Sequence, residues 1–188
     1  MVENCTRKTI KTLRTDGGGE YCNKRFKEVC SKAGIVHQTT CRYTPQQNGK
    51  AERLNRSILD RARCLLLESE LPKCFWAEAV NTVVYLLNRS PSKVVTLTPE
   101  ELWSGRKPTL SHLKTFGCKA YAHVPAQKRK KLDSRSTPCI FVGYCCTTKG
   151  HRPYDVKEET VFVSRDVIFS ENEKGSSLLS KKTDLDDY

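Results

Sequence analysis

No run of 18 apolar residues occurs in this 188-residue chain, and no basic-then-apolar segment opens it, so neither a membrane-spanning helix nor a secretory signal is expected. No two of the ten cysteines have the C-x-x-C spacing of a zinc knuckle, which argues against a zinc site. Cys145 and Cys146 are adjacent, and neighbouring strand residues point to opposite faces, so they are a poor pair of ligands for one metal ion. In a reducing compartment most of the cysteines are expected to be small buried hydrophobes. Acidic residues are scarce, 21 against 33 Lys and Arg, giving a net charge of +12 and a pI near 9.3. Such a surface attracts polyanions, and nucleic acid rather than a membrane is the expected partner of a soluble, intracellular protein. Internal repeats are also lacking.

What is present begins with a Thr-, Ile- and Leu-bearing stretch, Thr9 to Thr15, that stops at Asp16-Gly17-Gly18-Gly19. Asp16 is therefore expected at the carboxyl end of a strand. Ile10 and Leu13 fall on opposite faces, which predicts a strand covered on both sides. Asn23 is placed to cap a helix carrying Phe26, Val29, Cys30 and Ala33 and ending at Gly34. A second short strand follows over 35–40, completing a strand–helix–strand unit.

A polar loop, 41–50, leads to a long helix from about Ala51 with Leu54, Ile58, Ala62, Leu65 and Leu66 on one face. Glu52 lies in its first turn, off that face. Pro72 suits the start of a third helix, whose Phe75, Trp76, Ala79, Val80, Val83, Leu86 and Leu87 predict burial. A helical turn capped by Thr98 and followed by Pro99 comes next. From Lys119 the period shortens to strands at 120–124, 139–144 and 160–169, as in a small antiparallel barrel.

Between Asp16 and Glu52 lie 35 residues. Taken alone, a strand-end Asp is a turn former and Glu52 is half of an exposed pair with Arg56. The surrounding words say more: Leu13-Arg14-Thr15-Asp16-Gly17-Gly18-Gly19-Glu20-Tyr21, then Tyr43-Thr44-Pro45-Gln46-Gln47-Asn48-Gly49-Lys50-Ala51-Glu52-Arg53. Further on come Phe75-Trp76-Ala77-Glu78-Ala79, Tyr85-Leu86-Leu87-Asn88-Arg89-Ser90-Pro91, Gly105-Arg106-Lys107-Pro108, Phe116-Gly117-Cys118 and Cys139-Ile140-Phe141-Val142-Gly143-Tyr144.

With these words the chain resembles, from about Thr9 to Phe169, the integrase of copia-type long-terminal-repeat retrotransposons, a branch of the retroviral integrase superfamily with an RNase H-like fold. The resemblance implies an α/β fold class: a truncated RNase H-like core over 8–110 and an SH3-like antiparallel β module over 111–170. Residues 171–188, Ser-rich and acidic without apolar periodicity, are expected to form a disordered tail. In that family two Asp and one Glu hold two divalent metals, and Asp16 and Glu52 match the second Asp and the Glu. Magnesium or manganese held there would serve in-line phosphoryl transfer, with water or a DNA 3′-hydroxyl attacking. Gly17 departs from the polar residue, such as Asn, usual in the family.

The resemblance also implies DNA contacts from Gln46, Gln47 and Asn48 in the loop and from Asn55 and Arg56 on the long helix. The competing readings are a simple Asn48-Gly49 turn and a solvated Arg56. Lys128-Arg129-Lys130-Lys131 belongs to a stretch with nine basic residues between Arg106 and Arg135, a footprint for phosphates, a nuclear-import signal or a solvated loop. Tyr121, Tyr144 and Tyr154 are expected to pack in the core rather than stack on bases. Partners implied by the family are the element's ends, target DNA and further copies of the integrase, in the nucleus.

The family's first Asp lies well upstream of the second. Here fifteen residues precede Asp16, and the sole acidic one, Glu3, cannot stand in for it, because the chain between Glu3 and Asp16 has no room for the intervening strands and helix. The family's N-terminal zinc domain is likewise not among these residues. A chain with two of three carboxylates is expected to be inactive alone. A non-catalytic DNA-binding remnant and a transposon-derived interaction protein are the alternatives.

Overall fold

The computed structural model describes residues 2–40, 49–91 and 96–183, with backbone alone at Cys5, Lys128 and 181–183. The chain divides into two compact units, Met1–Arg56 and Ser57–Tyr188.

In the first unit a short helix, α1 (Val2–Thr6), precedes β1 (Thr12–Thr15), α2 (Lys24–Lys32) and β2 (Val36–Thr39). The strands pair in parallel, from Thr12 opposite Val36 to Thr15 opposite Thr39, and α2 makes the crossover that parallel pairing requires. Asn23 starts α2 as expected: its Oδ1 accepts from the backbone N–H of Phe26 at 2.8 Å. Phe26 turns its ring against Tyr21 and His37, and the Thr15 hydroxyl meets His37 Nε2 at 2.8 Å.

The expectation that β1 is covered on both faces does not hold within this unit. Leu13 is 36% exposed and Val36 58% exposed, and Cys30 is the one buried side chain among the described residues of the unit. A two-stranded sheet with one nine-residue helix has too little apolar material to cover both faces.

The helix α3 (Gly49–Ser69) contributes its portion from Ser57 onward to the second unit. A 3₁₀ turn (Lys73–Phe75) then runs into α4 (Trp76–Asn88), and α5 (Pro99–Ser104) follows, with the Thr98 hydroxyl accepting from the N–H of Glu101 at 3.2 Å. The strands are β3 (Cys118–His123), β4 (Ser136–Tyr144), β5 (His151–Asp155), β6 (Thr160–Val161) and β7 (Val167–Lys174), and α6 (Ser176–Thr183) follows them. They form one antiparallel sheet in the order β6-β5-β4-β3-β7.

The central strand β4 is buried on both faces, and its alternating side chains feed two cores. Ile140 and Val142 pack with Ala62, Leu71, Phe75, Ala79, Val83 and Phe116. Cys139 and Phe141 pack with Cys118, Ala120, Ala122 and Tyr144. Because α4 lies on β4, the helices after Ser57 group with the sheet, whereas the sequence boundary was expected at 110/111. Thr82, buried on α4, donates to the Val142 carbonyl at 3.1 Å, so this contact leaves its hydroxyl satisfied. Trp76 stays 59% exposed, since α4 turns Ala79, Thr82 and Val83 inward.

Three expectations change here. The single strand expected over 160–169 is two strands, broken near Ser164-Arg165-Asp166, with β6 on β5 and β7 on β3. No strand was expected over 151–155, where β5 forms around Pro153; this residue cannot donate to a ladder, but its carbonyl accepts from the Phe162 N–H at 3.1 Å. The tail expected to be disordered from 171 instead continues β7 to Lys174 and forms α6. Leu178 and Leu179 of α6 pack against the core that holds Ile140 and Val142, and along β7 Glu171 meets Lys114 at 2.8 Å and Glu173 meets Lys119 at 2.9 Å. Residues 184–188 of that expected tail lie outside the described residues.

A two-pronged ion pair ties α4 to β5. Arg152 donates from Nε to one Glu78 oxygen at 2.9 Å and from Nη2 to the other at 2.6 Å, and the two side chains are 30% and 17% exposed. Removing one partner strands a half-buried charge, so Arg152→Ala is expected to destabilise the fold by about 2 kcal/mol. Arg152→Lys, which cannot make the fork, should recover less than half of that in urea unfolding. Full recovery by lysine would show that only charge matters at this contact.

Behind the sheet, Tyr85 and Tyr144 stack at 4.3 Å, and the Tyr85 hydroxyl meets His112 Nε2 at 2.7 Å. Burial holds the His112 pKa below the ordinary value, helped by the charge of Arg89. It lowers that of His151 as well, with a backbone bond at His112 opposing and Lys114 assisting. Both rings are thus favoured neutral in the fold, while the unfolded chain takes up protons near pH ~6.5. Their contribution is complete above that pH and is lost as pH falls below it toward the folded values. The urea midpoint should therefore drop between pH 7.5 and 5.5, and drop less in His112→Gln and His151→Gln.

Candidate carboxylate pair and nucleic-acid interface

Asp16 follows the last residue of β1 and is exposed. Its Oδ1 accepts from the Gly18 N–H at 3.2 Å, and its carbonyl accepts from the Thr15 hydroxyl at 3.0 Å. The side chain therefore orders the glycine loop as a turn former does. Glu20 folds back over the same loop: a Cβ at Gly18 would lie 2.7 Å from its Oε2. This second carboxylate beside the Asp16 loop was not singled out from the sequence, where nothing distinguishes Glu20 from a solvated Glu.

Glu52 is exposed in the first turn of α3. Asn55 and Arg56 are exposed one turn on, and no Glu52–Arg56 ion pair forms among the described residues. The pair on this helix joins Arg63 to Asp60 at 3.4 Å. Gln46, Gln47 and Asn48 lie outside the described residues.

A two-metal centre needs clustered hard oxygen donors. Among the described residues no group of three or more His, Cys, Asp or Glu could hold a metal ion, and one Asp16 oxygen is engaged by Gly18. Among the described residues the donor set does not fit a magnesium or manganese pair.

The basic stretch divides into two parts. Lys114 and Lys119 are paired with Glu171 and Glu173, and the bond from Glu173 raises the Lys119 pKa. The positive charge that faces outward concentrates in the loop between β3 and β4. There His123, Ala126, Arg129, Lys130, Lys131, Asp133 and Arg135 line a concavity of about 340 Å³. Arg129, Lys130 and Lys131 were anticipated as contacts. His123 was not, because it lies a full loop away in sequence and arrives through strand pairing, His123 opposite Ser136.

Two of the three tyrosines pack as expected, whereas Tyr121 joins neither core and lies half-buried under the Lys119 ammonium, 5.6 Å from its ring centre. Tyr144 is buried, with its hydroxyl accepting from the Lys114 N–H at 2.8 Å and donating to the Lys114 carbonyl at 3.1 Å, and Tyr154 meets Phe75 edge-on. The cysteines depart from expectation: Cys30, Cys118 and Cys139 are buried, but Cys22, Cys64, Cys74 and Cys146 are exposed. Burial pushes the Cys118 thiol up to about 12 and the Cys139 thiol up to about 11. The Cys145 thiol goes the other way, down to about 6, because the hydroxyls of Thr147 and Thr148 bond to its sulfur.

Residues 118–183 match the family model of the retroviral polymerase SH3-like domain. Over 174 residues, 92% of this chain, the sequence is 49% identical to the retrovirus-related Pol polyprotein from transposon TNT 1-94 of Nicotiana tabacum. Its homologues are retrovirus-related Pol polyproteins of plant transposons. The Pol polyprotein from transposon RE1 of Arabidopsis thaliana is 34% identical over 173 residues. This Pol-related chain spans 13% of the length of the first relative and 12% of the second. Among solved structures it is similar to a chain of the simian T-cell lymphotropic virus intasome complexed with PP2A regulatory subunit B56 gamma. That similarity has a TM-score of 0.44 and 20% identity, covering 82% of this chain and 55% of that one. It is also similar to the catalytic core domain of BIV integrase, with a TM-score of 0.39 and 24% identity over 55% and 66% of the two chains.

Proposed function

We propose that this Pol-related segment is part of a transposon integrase: it carries two of the enzyme's carboxylates, Asp16 and Glu52, and a module that holds DNA, and by itself it binds DNA without joining it. The observation that carries this reading is the 174-residue similarity to a Pol polyprotein, which runs through 92% of the chain. The net charge of +12 and the basic concavity supply the means of holding phosphates. Asn55 and Arg56 on α3, and Lys128 to Lys131, are the proposed contacts, together with Gln46, Gln47 and Asn48.

Duplex binding should be tight at low salt and weaken about a thousandfold between 50 and 200 mM salt, as expected for roughly six or more phosphate contacts. Strand-transfer assays on labelled oligonucleotides with magnesium or manganese should yield no product. Product that disappears in Asp16→Asn would overturn the inactive half of the proposal, and salt-independent binding would overturn the DNA-holding half.

A further inference from the structure

We propose that the β3–β4 loop is a two-part grip on duplex DNA: the concavity lined by His123, Arg129, Lys130, Lys131 and Arg135 seats a backbone phosphate, while Leu132 enters between neighbouring bases. This rests on the DNA-holding reading above and adds to it a phosphate seat and an apolar wedge.

The concavity holds four fixed positive charges and one carboxylate, Asp133. That carboxylate is already engaged, accepting from the Lys130 N–H at 2.7 Å, so the lining is strongly positive toward a ligand. Arg129 Nε is buried and has no hydrogen-bond partner among the described residues. A buried unsatisfied donor is costly, and an anionic oxygen in the concavity would satisfy it. A phosphate supplies several such oxygens in one group.

The tip of the loop is held rather than slack. The Asp133 N–H donates to the Lys130 carbonyl at 3.1 Å, and with the reverse bond from the Lys130 N–H the two residues close a four-residue turn. At its base the Val124 N–H donates to the Arg135 carbonyl at 3.0 Å, where β3 and β4 begin to pair. Leu132 sits in this turn 98% exposed, between Lys131 and the engaged Asp133.

Magnitudes choose the partner. Burying one leucine side chain is too little to anchor a protein on a lipid surface, where even a myristoyl chain binds marginally. On DNA the phosphate contacts supply most of the affinity, and a single aliphatic wedge suffices to part a base step.

The full chain and its variants would be titrated onto duplexes carrying 2-aminopurine at different positions, with anionic phosphatidylserine vesicles as the competing surface. Unstacking by the native chain should raise 2-aminopurine fluorescence. Leu132→Ser should abolish that rise and weaken binding about tenfold while leaving the salt dependence unchanged. Arg129→Ala with Arg135→Ala should lower the slope of log affinity against log salt by about one, as expected for loss of one seated phosphate. Circular dichroism would establish that these surface variants are folded. Duplex binding that is unaltered by Leu132→Ser, or a salt slope unaltered by the double variant, would overturn the grip and leave the DNA-holding reading standing. Vesicle binding as tight as duplex binding and lost in Leu132→Ser would overturn the grip in favour of a membrane contact. Absence of any duplex binding at low salt would overturn the DNA-holding reading, and the grip with it.

Discussion

Replacing Gly117 with alanine is expected to destabilise the second unit by about 3–4 kcal/mol. Gly117 has φ +75°, in the left-handed region, where an L side chain costs about 1–2 kcal/mol. The larger contribution is steric. A Cβ there would overlap Ser69 Cβ and lie 3.3 Å from Leu71 Cδ1, and both neighbours are buried. Ser69 is not free to turn away, because its hydroxyl donates to the Leu65 carbonyl at 2.7 Å. Gly117 cannot withdraw either: its N–H donates to the Phe141 carbonyl and its carbonyl accepts from the Gly175 N–H, each at 2.8 Å. Gly175 is itself constrained, since a Cβ on it would meet that carbonyl at 2.9 Å. Urea unfolding checks this through the midpoint at constant m-value. A loss under about 1 kcal/mol would mean that the junction between the end of α3 and the start of β3 yields easily.

The second large effect is expected from Phe141→Ala, at about 3–5 kcal/mol. Phe141 is fully buried at the centre of β4. Its ring presents edge contacts to Tyr144, His151 and Phe169, with centroids 5.2, 5.8 and 5.3 Å away. Removing it opens a cavity between parts of the sheet that are pinned by ladders on both sides, β3 and β5, so collapse around the gap is limited. Phe141→Leu, which keeps most of the volume, should cost about 1.5 kcal/mol. Equal losses in the two variants would show that aromatic contact, rather than volume, is what this position supplies.

Local chemistry was legible in the sequence where a side chain acts on its own backbone neighbourhood. Asn23 and Thr98 cap helices as read, because a cap needs only a short polar side chain and an N–H three residues on. Asp16 stands at the end of a strand as read, because the three glycines after it end the strand locally. The burial of α4 was legible in part: Ala79 and Val83 face inward as their spacing requires, but Trp76 at its first turn stays 59% exposed.

Long-range features were not legible, and each miss has a physical cause. The strand β5 exists through its pairing with β4 and β6, and Pro153 at its centre lacks an N–H but keeps a carbonyl that accepts. The acids of the tail, Glu171 and Glu173, carried no signal until β7 paired with β3 and brought them beside Lys114 and Lys119. Of the candidate site, the basic loop was visible as a charge run, whereas its concavity and the participation of His123 depend on strand register.

The amino-acid sequence by itself determined the charge of the chain, the type and order of most elements, the strand-end position of Asp16 and the first-turn position of Glu52. Composition, caps and turn residues act over a few positions and need no partner from elsewhere. Tertiary structure decided the order β6-β5-β4-β3-β7, the grouping of α4 with the sheet, and the closing of the β3–β4 loop into a basic concavity with Leu132 at its tip. Backbone hydrogen bonds are much the same whichever strands supply them, so neighbours and register are chosen by side-chain packing on both faces of β4.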